Sequence, residues 1–333
     1  MVAIDAHAVE AALDRLIPRL LDGATGVADV ARLSGGASQE TWAFAAQTDD
    51  GKRGLILRRA PRNGRVNDGA VGLENEPPIL SRCRAAGVPV PEVVHILVAD
   101  DGLGTGYIMT RAEGEAIPRR LLNREEYAAV RPTLAGRFGE ILATIHAADV
   151  SGLHAVRSSF AAEGIAFQRS RLARYGIDSP IFELAMVWLA DNMPHAPAGG
   201  RLVHGDFRNG NIMVTPTGVS AVLDWELAHI GDPMEDLGWL CMNSWRFGHT
   251  AMPAGGFGSR EALFEGYRRG GGIVDADAVR FWEVFGSLRW GITCASMAAV
   301  FASGQDASVE RAMIARRVSE TQADLMNLIA PRI

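Results

Sequence analysis

The chain has a single lysine, Lys52, in 333 residues. Arg53 follows it where a P-loop needs serine or threonine, so that nucleotide motif is excluded. Cysteine is almost as scarce. Cys83, Cys241 and Cys294 are widely spaced and form no CxxC pair, which excludes a disulfide framework and a thiolate zinc site and predicts buried, reduced thiols. No G-x-S-x-G and no H-E-x-x-H occurs, so two hydrolase classes lose their signatures. Basic charge is not in excess either. A net charge of −6 offers no field for nucleic acid or anionic lipid. The most apolar late run, "GITCASMAAVFASG", is short for a bilayer span and follows Arg289. The opening "MVAIDAHAVEAALDRLIPRLL" carries Asp5, Glu10 and Asp14 where a signal peptide is apolar. In it Val9, Leu13, Leu16, Ile17 and Leu20 recur at helical spacing, which predicts an amphipathic helix lying on a domain. A cytoplasmic protein with no nucleic-acid or membrane partner is the expectation.

What is present suits a globular protein of one large or two closely packed domains, with 48% hydrophobic and 22% charged residues. Alternation around Trp42 and Phe44, the turn "TDDGKRG" and the apolar "LILR" predict a β-hairpin, with a glycine-containing turn before it. A helix is expected through "PPILSRCRAAG", with Pro77 and Pro78 in its first turn. "VVHILVADDGLGTGYIMT" reads as strand, turn and strand, so "GLGTG" is a hairpin turn. From Gly114 onward helical patterning dominates, interrupted by "LVHGDFRNGNIMVTPTGVSAVLDWE". Here strands Ile212–Val214 and Val219–Leu223 flank the turn "TPTG". The fold class is therefore α+β, with a boundary near residue 111: a sheet-rich part over 1–111 and a helical part over 112–333.

The hairpin gathers oxygen donors. Asp206 and Asn211 lie on the loop entering it, and Asp224 ends its second strand. A hard divalent cation takes oxygen ligands and keeps substrate phosphates in its shell, so one carboxylate and one amide suffice for a nucleotide-borne ion. The second carboxylate is then free to orient and deprotonate a hydroxyl. Kinase catalytic loops share this spacing, an aspartate, four residues, an asparagine and a later metal-binding aspartate. Arg208 would point a cation at the transferred phosphoryl group.

"LVHGDFRNGNIMV" with "AVLDWELAHIGDPMEDLGWL" resembles the aminoglycoside phosphotransferase-like small-molecule kinases, nearest to the branch fused to acyl-CoA dehydrogenases. The resemblance spans nearly the whole chain. It implies a protein-kinase-like bilobal fold with ATP in the cleft, Asp206 as base, and Asn211 and Asp224 as Mg2+ ligands. It also implies a supporting or capping role for Glu226, and a structural role for Asp236 in bracing the catalytic loop from a helix start. Gly36 and Ser38, in "LSGGASQET", would cover the phosphates. The pattern departs where kinases place a lysine on the third strand. "LILRRAP" puts Arg58 there, with Arg59 the alternative if the register slips, and arginine grips phosphate with a planar fork. Its partner would be Glu76, with Glu74 competing. Backbone near Thr110 and Ala112 would meet the adenine edge.

The acceptor should be set by residues 239–333. From Cys241 to Ile333 nine acids face ten arginines, so no carboxylate-lined site for a polycation is expected. Trp245 and Arg246, in "WLCMNSWRFG", suggest a partly apolar pocket with a cation for an anionic group. The expected acceptor is a neutral or anionic hydroxylated metabolite, such as a hydroxyacyl compound. The rival readings are a nucleotide-binding pseudokinase scaffold and an aminoglycoside 3′-type phosphotransferase.

Overall fold

Alternation in the first third of the chain builds a five-stranded antiparallel sheet in the computed structural model, which describes residues 6–33, 39–61, 69–195, 199–304 and 308–330. Helix α1 (Ala6–Leu20) buries Val9, Leu13, Leu16 and Ile17 of the predicted stripe, while Leu20 at its end is half-buried. Strands β1 (Ala24–Arg32), β2 (Glu40–Thr48) and β3 (Gly51–Arg59) follow. Next come α2 (Glu76–Ala85), β4 (Val93–Ile96) and β5 (Gly106–Thr110), giving the order β1-β2-β3-β5-β4. The period of two sorts the side chains. Trp42, Phe44, Leu55 and Leu57 pack under α1, whereas Ala43 and Ile56 join the main core on the other face. Full burial of one such leucine or phenylalanine contributes about 1.5–3 kcal/mol. The same alternation decides between the two arginines. Arg59 falls on the α1 face with Leu57, and Arg58 falls on the opposite face, toward the cleft. Strand β1 was not foreseen: it is a half-exposed edge strand with two irregularities in its register, and its small, polar residues give no clean alternation.

Beyond a linker come α3 (Pro118–Asn123), α4 (Leu134–His146), α5 (Ala161–Tyr175) and α6 (Pro180–Asp191). Strand β6 (Arg201–Val203) then leads through the catalytic loop into the hairpin β7 (Ile212–Thr215) and β8 (Gly218–Val222). Strand β9 (His229–Gly231) returns to pair with β6, a second small sheet that the sequence reading did not contain. Helices α7 (Met234–Cys241), α8 (Arg260–Arg269), α9 (Ala276–Ala302), α10 (Val309–Ala315) and α11 (Val318–Ile329) complete the fold. The late apolar run proves to be the end of the 27-residue α9, which is long and apolar enough to cross a bilayer; half of that stretch is buried inside the protein. The three cysteines are free and buried, as expected.

The hairpin is tied to the linker. Glu115 and Val214 exchange backbone bonds of 2.9 and 3.0 Å, and Ser220 Oγ donates to Glu113 O. Gly114 has φ of 119°, and a Cβ there would lie 2.7 Å from Val214 O, so only glycine lets the linker rest on the hairpin.

Candidate active site

The catalytic loop is fixed from below before it presents anything. Asp236, in the first turn of α7, accepts the His204 and Gly205 amides at 2.8 and 2.9 Å. His146 of α4 binds the same carboxylate at 3.1 Å and Tyr267 at 2.8 Å. Burial alone would raise the Asp236 carboxyl, but His146 and the loop amide outweigh it and hold it below its ordinary value. The bracing expected of Asp236 matches this geometry. Gly205 has φ of 77°, and a Cβ there would meet Leu227 O at 2.5 Å. Arg289 of α9 donates to the Gly205 carbonyl and lies 3.9 Å over the Trp239 ring.

On this base Asp206, Asn211 and Asp224 come together. Asn211 Nδ2 donates to Asp206 Oδ2 at 2.7 Å and to its carbonyl at 3.0 Å. The Leu223 amide donates to Asn211 O at 2.8 Å, which sets Asp224 beside the loop. Asp224 is in the left-handed region, φ 64°, a conformation that costs about 1–3 kcal/mol outside glycine. His204 Nε2 binds Leu223 O at 3.0 Å and secures the preceding residue. The Asp224 side chain remains 36% exposed, turned to the cleft.

Arg58 reaches this carboxylate from the sheet. Its Nη2 lies 3.1 Å from Asp224 Oδ1 and 3.6 Å from Glu76 Oε2. Glu76 is buried, receives the Tyr107 hydroxyl at 2.6 Å and is the partner; Glu74 is exposed. Arg59 instead pairs with Glu40 at 3.1 Å on the far face. Gln39 is a hub that sequence reasoning missed. Its Oε1 accepts from Arg58 Nε at 3.0 Å, and its Nε2 donates to Glu76 at 3.0 Å and Glu226 at 3.5 Å. Its only signal was its place at the end of the glycine turn. Gly36 and Ser38 lie outside the described residues. Thr110 spends its amide and hydroxyl on Glu92, at 2.9 Å each, and the Arg111 amide goes to Gly54 O at 3.1 Å. Ala112 follows, at the start of the linker.

Two substrate assignments, Trp245 and Arg246, need correction, and Arg208 lies beside the base. Its Nε donates to Asp206 Oδ1 at 3.0 Å, and its guanidinium stacks 4.6 Å from the Trp245 ring. Trp239 Nε1, another missed contact, donates to the same oxygen at 2.9 Å. Trp245 is 4% exposed and packs between Trp239 and Trp290, so it backs the loop. Arg246 is not a free cation for substrate. It donates to Cys241 O, to Thr250 O at 2.9 Å and to Glu283 at 3.1 Å. The reason is Glu283, a buried carboxylate that Arg260 also neutralises; burial still pushes its carboxyl above the ordinary value.

The profile of a family described as the phosphotransferase enzyme family matches residues 29–273. Mouse acyl-CoA dehydrogenase family member 10 is 30% identical over 242 residues, 69% of this chain but only 22% of that protein. A Ralstonia eutropha protein classed among the aminoglycoside phosphotransferases superposes with a TM-score of 0.75 at 22% identity, covering 96% of this chain and 97% of the other. A thermostable aminoglycoside phosphotransferase mutant, solved with ADP and hygromycin B, superposes with a TM-score of 0.63 at 18% identity, covering 96% and 98%.

Proposed function

This chain belongs to the phosphotransferase enzyme family, and we propose from that premise how its residues divide the work of moving a phosphoryl group from ATP to a small-molecule hydroxyl. The convergence of Asp206, Asn211 and Asp224 beside Arg58 carries the reading. Asp206 orients the acceptor hydroxyl and takes its proton as the acceptor oxygen bonds to the γ-phosphorus. The bond from that phosphorus to the β,γ-bridging oxygen breaks, and ADP leaves. Such transfer is mostly positioning plus charge stabilisation, so rigid placement of the base is the main demand. Arg208 and Trp239 both donate to Asp206 Oδ1 and fix it, while Asn211 donates to Oδ2, which retains a lone pair for the acceptor proton.

The donor set fits a magnesium ion. Asn211 gives its amide protons to Asp206, which leaves its carbonyl oxygen as the coordinating atom. Asp224 adds a partly exposed carboxylate oxygen. The bound ion would neutralise charge developing between the β- and γ-phosphates. Arg58 holds the α- and β-phosphates, with Glu76 and Gln39 holding Arg58 in turn. Linker backbone at Thr110 and Ala112 meets the adenine edge.

The acceptor is a neutral or anionic hydroxylated metabolite, a hydroxyacyl compound included. The balance of nine acids and ten arginines after Met242's neighbour Cys241 supports this over a polycation. The hygromycin B complex of a fold relative favours the aminoglycoside alternative. ATP consumption by the purified protein across hydroxy acids, neutral alcohols and kanamycin-type amines separates them. Turnover should be fastest with the acids. Faster turnover with the amines would overturn the acceptor assignment.

A further inference from the structure

Helix α9 passes close behind the catalytic loop because two glycines let it approach α7. A Cβ on Gly286 would lie 2.7 Å from Met242 Sδ and 3.0 Å from Trp239 Cε3, and one on Gly238 would lie 2.6 Å from Trp282 Cβ. Arg289 follows Gly286 by three residues and so shares its face of the helix. It arrives over the Trp239 ring, 3.9 Å from the centroid. Its Nη1 donates to Glu235 Oε1 at 3.1 Å, and its Nη2 donates to the Gly205 carbonyl. Glu235 is held through its other oxygen by His229 at 3.0 Å.

These contacts converge on the residue after Gly205. The Gly205 carbonyl belongs to the peptide plane that leads into Asp206, and the Asp206 amide of that plane donates to His204 Nδ1 at 3.2 Å. A planar unit held at both its oxygen and its nitrogen resists rotation, so it fixes where the Asp206 side chain begins. Asp236 takes the amides of His204 and Gly205, which leaves the carbonyl to Arg289. The far end of the same side chain is held by Trp239, whose Nε1 donates to Asp206 Oδ1 at 2.9 Å. Attraction between a guanidinium and an indole face keeps that ring from tilting away. Arg289 thus supports both ends of the Asp206 side chain.

Resting on the phosphotransferase reading, we propose that Arg289 is a positioning residue for the base, aligning the Asp206 carboxylate through the Gly205 carbonyl and the Trp239 indole together. Proton removal from the acceptor depends on this support. Nucleotide binding, which draws on Arg58 from the sheet, does not.

Two readouts on Arg289→Gln separate this role from a purely structural one. The first is the Trp239 indole N–H resonance in a proton–nitrogen correlation spectrum, assigned by its loss in Trp239→Phe. It should lie downfield in wild type, as a bond to a carboxylate requires, and Arg289→Gln should move it toward the position of a water-exposed indole. The second is turnover with an acceptor that the purified protein phosphorylates. There kcat should fall on the order of 10²-fold, the cost of a displaced group, while KM for ATP and AMP-PNP affinity by calorimetry stay unchanged. Arg289→Lys keeps a cation beside the ring and should recover part of both readouts. If Arg289→Gln does not fold, Arg289→Gln/Glu235→Gln repeats the test without leaving that carboxylate unpaired. An unchanged indole resonance, or a kcat equal to wild type, overturns the assignment even where the variant is less stable. A wild type that neither binds AMP-PNP nor turns over ATP would count against the phosphotransferase reading instead, and the indole resonance would still decide whether Arg289 sets Asp206.

Discussion

Two arginines reach the catalytic loop from different parts of the fold, Arg58 from the sheet and Arg289 from α9. On the sheet side a single guanidinium, Arg58, stands among Glu76, Asp224 and Gln39. Burial alone would lower its affinity for the proton, but Tyr107, Glu76 and Asp224 outweigh that and hold it above its ordinary value. On the helical side Arg289 pairs with Glu235 at 3.1 Å, donates to the Gly205 carbonyl and stacks on Trp239. The first cluster is complete before any ligand arrives, so a nucleotide must take over a partner from Arg58, and Asp224 is the exposed one. Arg289 has no such exposed partner: Glu235 is buried, so this contact holds the loop in place. One arginine is placed to exchange a partner; the other braces the loop.

The hardest break in this comparison is to remove the base carried by the loop that both arginines reach. Asp206→Ala should cut turnover on the order of 10³-fold, the scale of a positioned general base. Nucleotide binding should persist in calorimetry, because Arg58 makes its contacts with Gln39, Glu76 and Asp224. Turnover equal to wild type would remove Asp206 from the role of base. Arg58→Gln comes next. It leaves Glu76 buried with neutral donors only, and breaking such a pair costs about 3–5 kcal/mol. Urea unfolding measures it, and a loss below about 1 kcal/mol, the scale of an exposed pair, would show that the cluster is solvated. The double change with Glu76→Gln should recover part of the loss, since no charge is then left unpaired.

The two sides also differ in how far the sequence disclosed them. Asp206, Asn211 and Asp224 were legible because loop spacing and a short hairpin place them by local rules. Arg58 was legible to within one residue, and strand alternation against Leu57 settles it in favour of the cleft face. Gln39, Trp239 and Arg289 were not, because each reaches the site through tertiary packing from a place that carries no local signal. Arg246 misled for the converse reason. Its neighbour Glu283 is 37 residues away, so its charge seemed available when it was not. Strands β6 and β9 span three residues each, too few for a period to register.

A smaller effect separates the loop's own anchor from both arginines. The depressed Asp236 carboxyl stabilises the fold in its charged form. That contribution is complete above the ordinary carboxylate value near pH 4, and it fades as pH falls through the lower folded value. Asp236→Asn should therefore cost about 1.5–3 kcal/mol at neutral pH, the scale of hydrogen bonds to a charged group. The difference from wild type should shrink below about pH 4. Urea unfolding at several pH values measures both. A difference that stayed constant down to the acid limit would mean that the carboxylate's charge contributes nothing to holding the loop.

Conservative exchange gives the finest distinction. Arg58 addresses Gln39, Asp224 and Glu76 in separate directions, which a planar fork satisfies and a single ammonium on a flexible stem does not. Arg58→Lys should weaken AMP-PNP binding by on the order of tenfold even though the charge is kept, since one charge-assisted bond of the fork is lost. Calorimetric titration of AMP-PNP into wild type and variant measures it, and equal affinity would show that the fork's separate directions contribute nothing to holding the nucleotide.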